Sequence, residues 1–231
     1  MAEPLRFEEQ VRVAALYRHP ERSIAYPYLS AFTYPWEALD GLADFIRSLG
    51  ASLSPEEYDR PADDVWIAKT AKVAPSASLG GPLIVCGGAE IRQCAFIRGS
   101  AIVGAGAVVG NSTELKNCVL FDGVQVPHFN YVGDAILGYK SHMGAGAVTS
   151  NVKSDKTPVS IRWGSESIAT GRKKCGAMLG DFVEVGCNSV LNPGTVIGCH
   201  SNVYPLSSVR GFVPERHIFK SREEVVLIRG D

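Results

Sequence analysis

An aliphatic residue recurs at every sixth position over much of this chain. The first run is Ile67, Val73, Leu79, Val85, Ile91, Ile97, Val103, Val109, Leu115 and Phe121; a second holds Leu179, Val185, Leu191, Ile197, Val203 and Val209. Six is neither the helical period nor the simple strand period. A hexapeptide repeat is a signature of the parallel β-helix, in which each hexapeptide makes one flat side with its aliphatic residue pointing inward. Three sides close a coil, so residues 18 apart stack on one face. A small residue often follows the aliphatic one, as in Val103-Gly104, Val109-Gly110, Leu179-Gly180, Val185-Gly186 and Ile197-Gly198. The expected reason is that it tolerates the corner.

The repeat predicts an all-β solenoid over residues 65–213, preceded by a helical segment and linker at 1–64 and followed by a tail at 214–231. In the N-terminal segment, Phe7 to Tyr17 and Pro35 to Gly50 read as helices; Pro35 and Gly50 suit the start and stop of the second. Ser52 to Asp64 reads as linker. The open end of a β-helix exposes unpaired backbone and apolar core, so the helices are expected to cap it.

The repeat breaks at Pro127–Asp134, after which Leu137 and Met143 resume a shifted register, and again at 152–174, whose halves flank Gly164 and predict a projecting hairpin. In a rigid solenoid, segments that leave the register are where function concentrates.

Lys plus Arg number 23 and Asp plus Glu 24, a net charge of −1. That balance excludes a generally basic nucleic-acid coat and gives no electrostatic reason to expect a membrane partner. No apolar run approaches the roughly 20 residues that span a bilayer. The N-terminus, MAEPLRFEEQ, does not read as an export signal. The six cysteines (Cys86, Cys94, Cys118, Cys175, Cys187, Cys199) form no C-x-x-C pair. They read as small residues filling a packed interior in a reducing, cytoplasmic setting.

His128 lies in the first break and is either a general base or a histidine bonded into a turn. Arg98 and Lys116 are one coil apart and form either a phosphate seat or a pair of solvated charges. His128, His142 and His200 show no ligand spacing for a metal.

The motifs IRGSAIVGAGAVVGNSTELKN at 97–117, PHFNYVGDA at 127–135, MGAGAVTSN at 143–151 and LGDFVEVGCNSVLNPGTVIG at 179–198 carry a resemblance. They resemble the C-terminal domain of the bifunctional N-acetylglucosamine-1-phosphate uridyltransferase/glucosamine-1-phosphate acetyltransferase. The resemblance implies a left-handed β-helix that forms a homotrimer with active sites between subunits. It implies acetyl transfer from acetyl-CoA to the amine of an amino-sugar phosphate or sugar nucleotide. His128 is then the base, Arg98 and Lys116 hold the sugar phosphate, and Tyr131 contacts the sugar. His142 stands where the family has a sugar-binding asparagine. Ala145, Asn151, Cys187, Pro205 and Arg222 match positions along the acetyl-CoA site. Backbone N–H groups in the Met143–Gly146 turn are candidates for stabilising the oxyanion.

This chain departs from the family where Val152 replaces a tyrosine, where Cys187 replaces a serine, and where 152–174 is inserted near a family lysine. Lys153, Lys156, Arg162, Arg172, Lys173 and Lys174 are its available substitutes. The uridyltransferase half has no counterpart in this sequence. A second class of function stays open: a non-catalytic solenoid that binds a sugar nucleotide or organises a partner, since fold alone does not fix function. An acyltransferase with a longer acyl donor is a third.

Overall fold

The computed structural model describes residues 5–221 and 224–227, and over them the hexapeptides build a left-handed parallel β-helix. One face stacks Val65–Ala68, Leu83–Val85, Ala101–Val103, the C-terminal parts of Glu114–Leu120 and Tyr131–Leu137, Ala177–Leu179, Thr195–Ile197 and Phe212–Val213. The second face stacks Lys72–Val73 through Val108–Asn111, Gln125–His128 and His142–Met143 to His217–Ser221. The third runs from Ser78–Leu79 and Phe96–Ile97 through Val148–Thr149 and Val190–Leu191 to Ser208–Val209. The antiparallel strands Tyr58–Ala62 and Glu224–Leu227 pair with the outermost rungs at opposite ends. Part of the expected linker is therefore an edge strand.

The register departs from the 18-residue step in the last coil, where Ile197 pairs with Val213 and Val203 with Phe219, and more informatively in the middle of the helix. Val85 pairs with Val103, a step of 18, but Val103 pairs with Leu120 and Leu120 with Leu137, two steps of 17. Leu120 takes the inward position expected for Phe121, whose ring instead stacks on Tyr17 with centroids 5.0 Å apart. The missing residue is lost at the corner between the third and first faces. Asn117 (φ 51°) and Asp134 (φ 49°) each turn it alone, so Glu114–Leu120 and Tyr131–Leu137 cross it as unbroken strands. Asn and Asp are the side chains that best tolerate this left-handed region. Pro127–Asp134 is accordingly no excursion: it is a regular coil, one residue short.

The small residues after the aliphatic rung have a different cause from the one expected. A Cβ on Gly110 would strike the Pro127 carbonyl of the next coil, and one on Gly186 would strike Pro205. Neither glycine has positive φ. Close approach of consecutive coils, not backbone freedom, demands them.

The N-terminal segment covers a flank rather than an end. On the first face, Ile84, Ile102, Val119, Ile136, Met178 and Val196 point outward by strand alternation, yet all are 0% exposed. The helix Leu42–Ala51 packs on Leu83–Val85, Ala101–Val103 and Glu114–Leu120, the 3-10 turn Pro35–Leu39 packs on Tyr131–Leu137, and Phe7 meets Phe212 at 5.7 Å. Each of these outward residues gains roughly 1.5–3 kcal/mol from its cover. The two expected helices are shorter than the pattern suggests: Phe7–Gln10 and Val13–Leu16 are separate turns, and Gly41 separates Pro35–Leu39 from Leu42–Ala51.

The second break is a hairpin. Ser160–Trp163 pairs antiparallel with Glu166–Ala169 about Gly164, at φ 57°. Its first strand lies back on the corner at Gly194 and Gly211, and Arg172 at its base forms an ion pair with Asp40. Among the described residues no helix is long and apolar enough to cross a membrane.

Gly110→Ala should cost about 1–3 kcal/mol by overpacking against Pro127. Urea denaturation followed by circular dichroism would read it as a lower midpoint with an unchanged slope.

Candidate functional site

The tight corner builds a buried, densely bonded polar group. Steps of 17 place Asn117, Asp134 and Asn151 above one another. The Asp134 carboxylate is buried and accepts from Asn117 Nδ2 at 2.8 Å, from Asn151 Nδ2 at 2.5 Å and, at both oxygens, from Lys116 Nζ at 3.0 Å. Asn151 Nδ2 also donates to the Tyr131 hydroxyl at 3.2 Å. Burial raises the Tyr131 phenol above its ordinary pKa, so the hydroxyl stays neutral near pH 7. Arg98, one coil before Lys116, lies exposed against Glu114 at 2.9 Å. Both expected phosphate ligands are thus partnered by carboxylates. Asn151, expected along the acetyl-CoA site, stands beside Tyr131 and Asp134.

A second group occupies the corner between the second and third faces. His128 ends the strand Gln125–His128 and is exposed; its ring makes no hydrogen bond among the described residues. Ala145, Cys187 and Pro205 succeed it on later coils, Ala145 half-buried and the other two exposed. In the Met143–Gly146 turn, Gly144 N–H donates to Val185 O at 2.7 Å and Gly146 N–H to His128 O at 3.0 Å. The Ala145 N–H has no partner among the described residues, so of the expected oxyanion donors it is the available one.

Asn130 joins these parts and escaped the sequence reading. Its buried side chain accepts from the His128 N–H at 3.1 Å and donates to the carbonyls of Gly144 at 2.8 Å and Ala147 at 3.0 Å. One amide thereby fixes both the histidine strand and the Ala145 turn. The signal was present as Thr113, Asn130 and Ala147 at steps of 17, but it shows only once the short coils are recognised.

His142 lies on the second face, where Nδ1 meets Glu184 Oε2 at 2.7 Å. It lines a shallow cleft with Gln125 and Lys140, apart from the Tyr131 group. Arg222 lies outside the described residues. Of the six cysteines, Cys94 and Cys187 are exposed. Burial pushes the Cys86, Cys118 and Cys175 thiols up to about 12 and Cys199 up to about 11, so these four are unreactive fillers. Among the described residues no set of three His, Cys, Asp or Glu is placed to hold a metal ion.

Asp134→Asn should remove the charge that neutralises Lys116 and lower stability by about 3–5 kcal/mol. Thermal unfolding would show the loss, and Lys116→Met in the same background should recover part of it.

The chain is similar to several known proteins. It is 34% identical over 112 residues to a bifunctional sugar-1-phosphate nucleotidylyltransferase/acetyltransferase of Sulfurisphaera tokodaii, covering 48% of this chain and 28% of that protein. It is 26% identical over 204 residues to the bifunctional protein GlmU of Methanococcus maripaludis (strain C5), covering 87% and 49%. The chain thus spans half or less of the length of these relatives. Among solved structures, the acetyltransferase domain of PglB from Neisseria gonorrhoeae FA1090, in complex with acetyl coenzyme A, matches with 16% identity and a TM-score of 0.33 over 70% of this chain and 56% of that one. The family model described as the GMPPB C-terminal domain matches residues 79–204. That match takes in more than half of the chain, including Arg98, Lys116, His128, Tyr131, Asp134 and Asn151, and the chain belongs to this family.

Proposed function

We propose that the chain is an acetyltransferase moving acetyl from acetyl-CoA to the amine of an amino-sugar phosphate or sugar nucleotide. The observation that carries this reading is the layout of a single coil. His128 stands at one corner, the Lys116–Asp134–Asn151 group at the other, and Tyr131 on the strand between them. Five residues separate the His128 level from the Lys116 level, at most about 16 Å of extended chain. A sugar phosphate laid along this strand places its anionic end at the cations and its amine near the imidazole. Arg98 reaches a phosphate by exchanging Glu114 for it, and Lys116 keeps its third N–H for the same purpose.

An ammonium is no nucleophile, so His128 takes the amine proton as the nitrogen attacks the thioester carbon. The Ala145 N–H, one coil on, is positioned to meet the developing oxyanion. The sulfur leaves as the acyl bond to nitrogen is completed. Cys187 and Pro205 continue the corner beyond Ala145 and give the donor's extended arm a track. The names of the curated relatives, which include acetyltransferases, support the same reading. Six free thiols are compatible with a reducing, cytoplasmic setting.

His128→Ala should reduce turnover by about 10²–10⁴-fold while leaving substrate binding intact. The check is release of free thiol from acetyl-CoA with glucosamine-1-phosphate as acceptor; unchanged turnover would overturn the mechanism.

The reading includes a homotrimer with its site between copies. An exposed apolar row supports it: Phe96, Phe129, Val190, Tyr204 and Leu206 are 45%, 61%, 37%, 46% and 79% exposed along the third face and its corner with the second. Such rows mark contact surfaces. Sedimentation velocity should find three times the 24.8 kDa chain mass, and Phe129→Asp with Leu206→Asp should yield monomer. A wild-type monomer would refute the assembly.

A further inference from the structure

The folded-back hairpin forms one wall of an open cleft of about 650 Å³ against the last coils. Its lining includes Arg162 and Trp163 from the hairpin, Asn192, Ser208 and Arg210 from the corner, and Phe212 from the first face. The volume falls in the range of small-ligand sites, roughly 300–1,000 Å³. None of these residues serves the acetyl-transfer layout described above.

The lining is chemically uneven in a way that specifies a ligand. The Arg162 and Arg210 side chains make no ion pair or hydrogen bond among the described residues, whereas Arg98 and Lys116 each face a carboxylate. Asn192 donates both amide hydrogens, to Ser208 Oγ at 3.0 Å and to the Val209 carbonyl at 2.8 Å. Its side-chain Oδ1 has no donor among the described residues and is left as an acceptor. Trp163 stands edge-on to Phe212, with centroids 5.6 Å apart, and is 37% exposed. Two unpaired guanidiniums suit phosphate oxygens, which they grip bidentately. An indole beside them suits a flat heteroaromatic ring, and an isolated amide acceptor suits its exocyclic N–H.

We infer that this cleft binds a nucleoside diphosphate, with the phosphates on Arg162 and Arg210 and the base against Trp163 and Asn192. The site lies at the opposite edge of the third face from the corner that carries His128, Ala145, Cys187 and Pro205. Val148, Val190 and Ser208 form successive rungs below Tyr131, so three coil spacings, about 14 Å, separate Tyr131 from the level of Ser208.

Trp163 reports on its own occupancy, because Trp36 and Trp66 are 1% and 7% exposed. The test titrates the full chain with UDP and with GDP and follows tryptophan fluorescence. Saturable quenching is expected, absent in Trp163→Phe, with Kd raised about tenfold or more in Arg162→Ala and in Arg210→Ala. Circular dichroism would establish that each variant is folded. Loss of quenching in a folded Trp163→Phe that still binds by calorimetry supports the same site. No quenching and no calorimetric binding by either nucleotide in the wild type would overturn the inference. So would a Kd unaffected by both arginine substitutions. Quenching by coenzyme A without any by UDP or GDP would assign the cleft to the acyl donor and equally overturn it. Because thiol release depends on His128 and this titration does not, failure of one leaves the other standing.

Discussion

Consecutive coils of this chain stand one strand spacing apart, about 4.8 Å, and most of its other features are accommodations to that distance. Leu83, Val85, Ala101 and Val103 fill the interior because parallel rungs leave room only for aliphatic stacks. Gly110 and Gly186 exist because a Cβ there would enter the backbone of the next coil. Polar residues that recur at the same corner are brought within hydrogen-bond reach, so any ladder of Asn, Asp and Thr becomes a bonded network.

The same spacing explains the site. Two coils of 17 residues pull Asn117 and Asp134 into a corner that two residues turn elsewhere, as at Gly99 and Ser100. The gain is a buried carboxylate with three separate donors, and a continuous strand that carries Tyr131 at a fixed distance from His128. A buried, paired charge contributes little net stability. Its consequence is geometric: Lys116, Asn151 and Tyr131 are held in one arrangement before any ligand arrives, and Asn130 does the same for the His128 strand and the Ala145 turn.

Much of this was legible beforehand. The hexad from Ile67 to Leu115 implied the stacked faces, and the segment around Gly164 implied a hairpin. Three things were not. The slip at Leu120 was hidden because Phe121, also apolar, sits where an unbroken period would put it. The flank cover was hidden because inward periodicity says nothing about outward residues, although the triplets Leu83-Ile84-Val85 and Ala101-Ile102-Val103 are apolar on both sides. The partners of Arg98 and Lys116 were hidden because a stacked pair of cations looks the same whether or not carboxylates face it.

The sequence by itself determined the solenoid, the inward residue of nearly every rung and the stacking of residues one coil apart, since a six-residue period has few other ways to bury its apolar positions. The tertiary structure decided where a coil loses a residue, which carboxylate meets which cation, that the N-terminal segment covers a side, and that the hairpin folds back so that Arg162, Trp163 and Arg210 line one cleft. Those outcomes depend on contacts between segments far apart in the chain, whose energies are comparable and leave no local periodic trace.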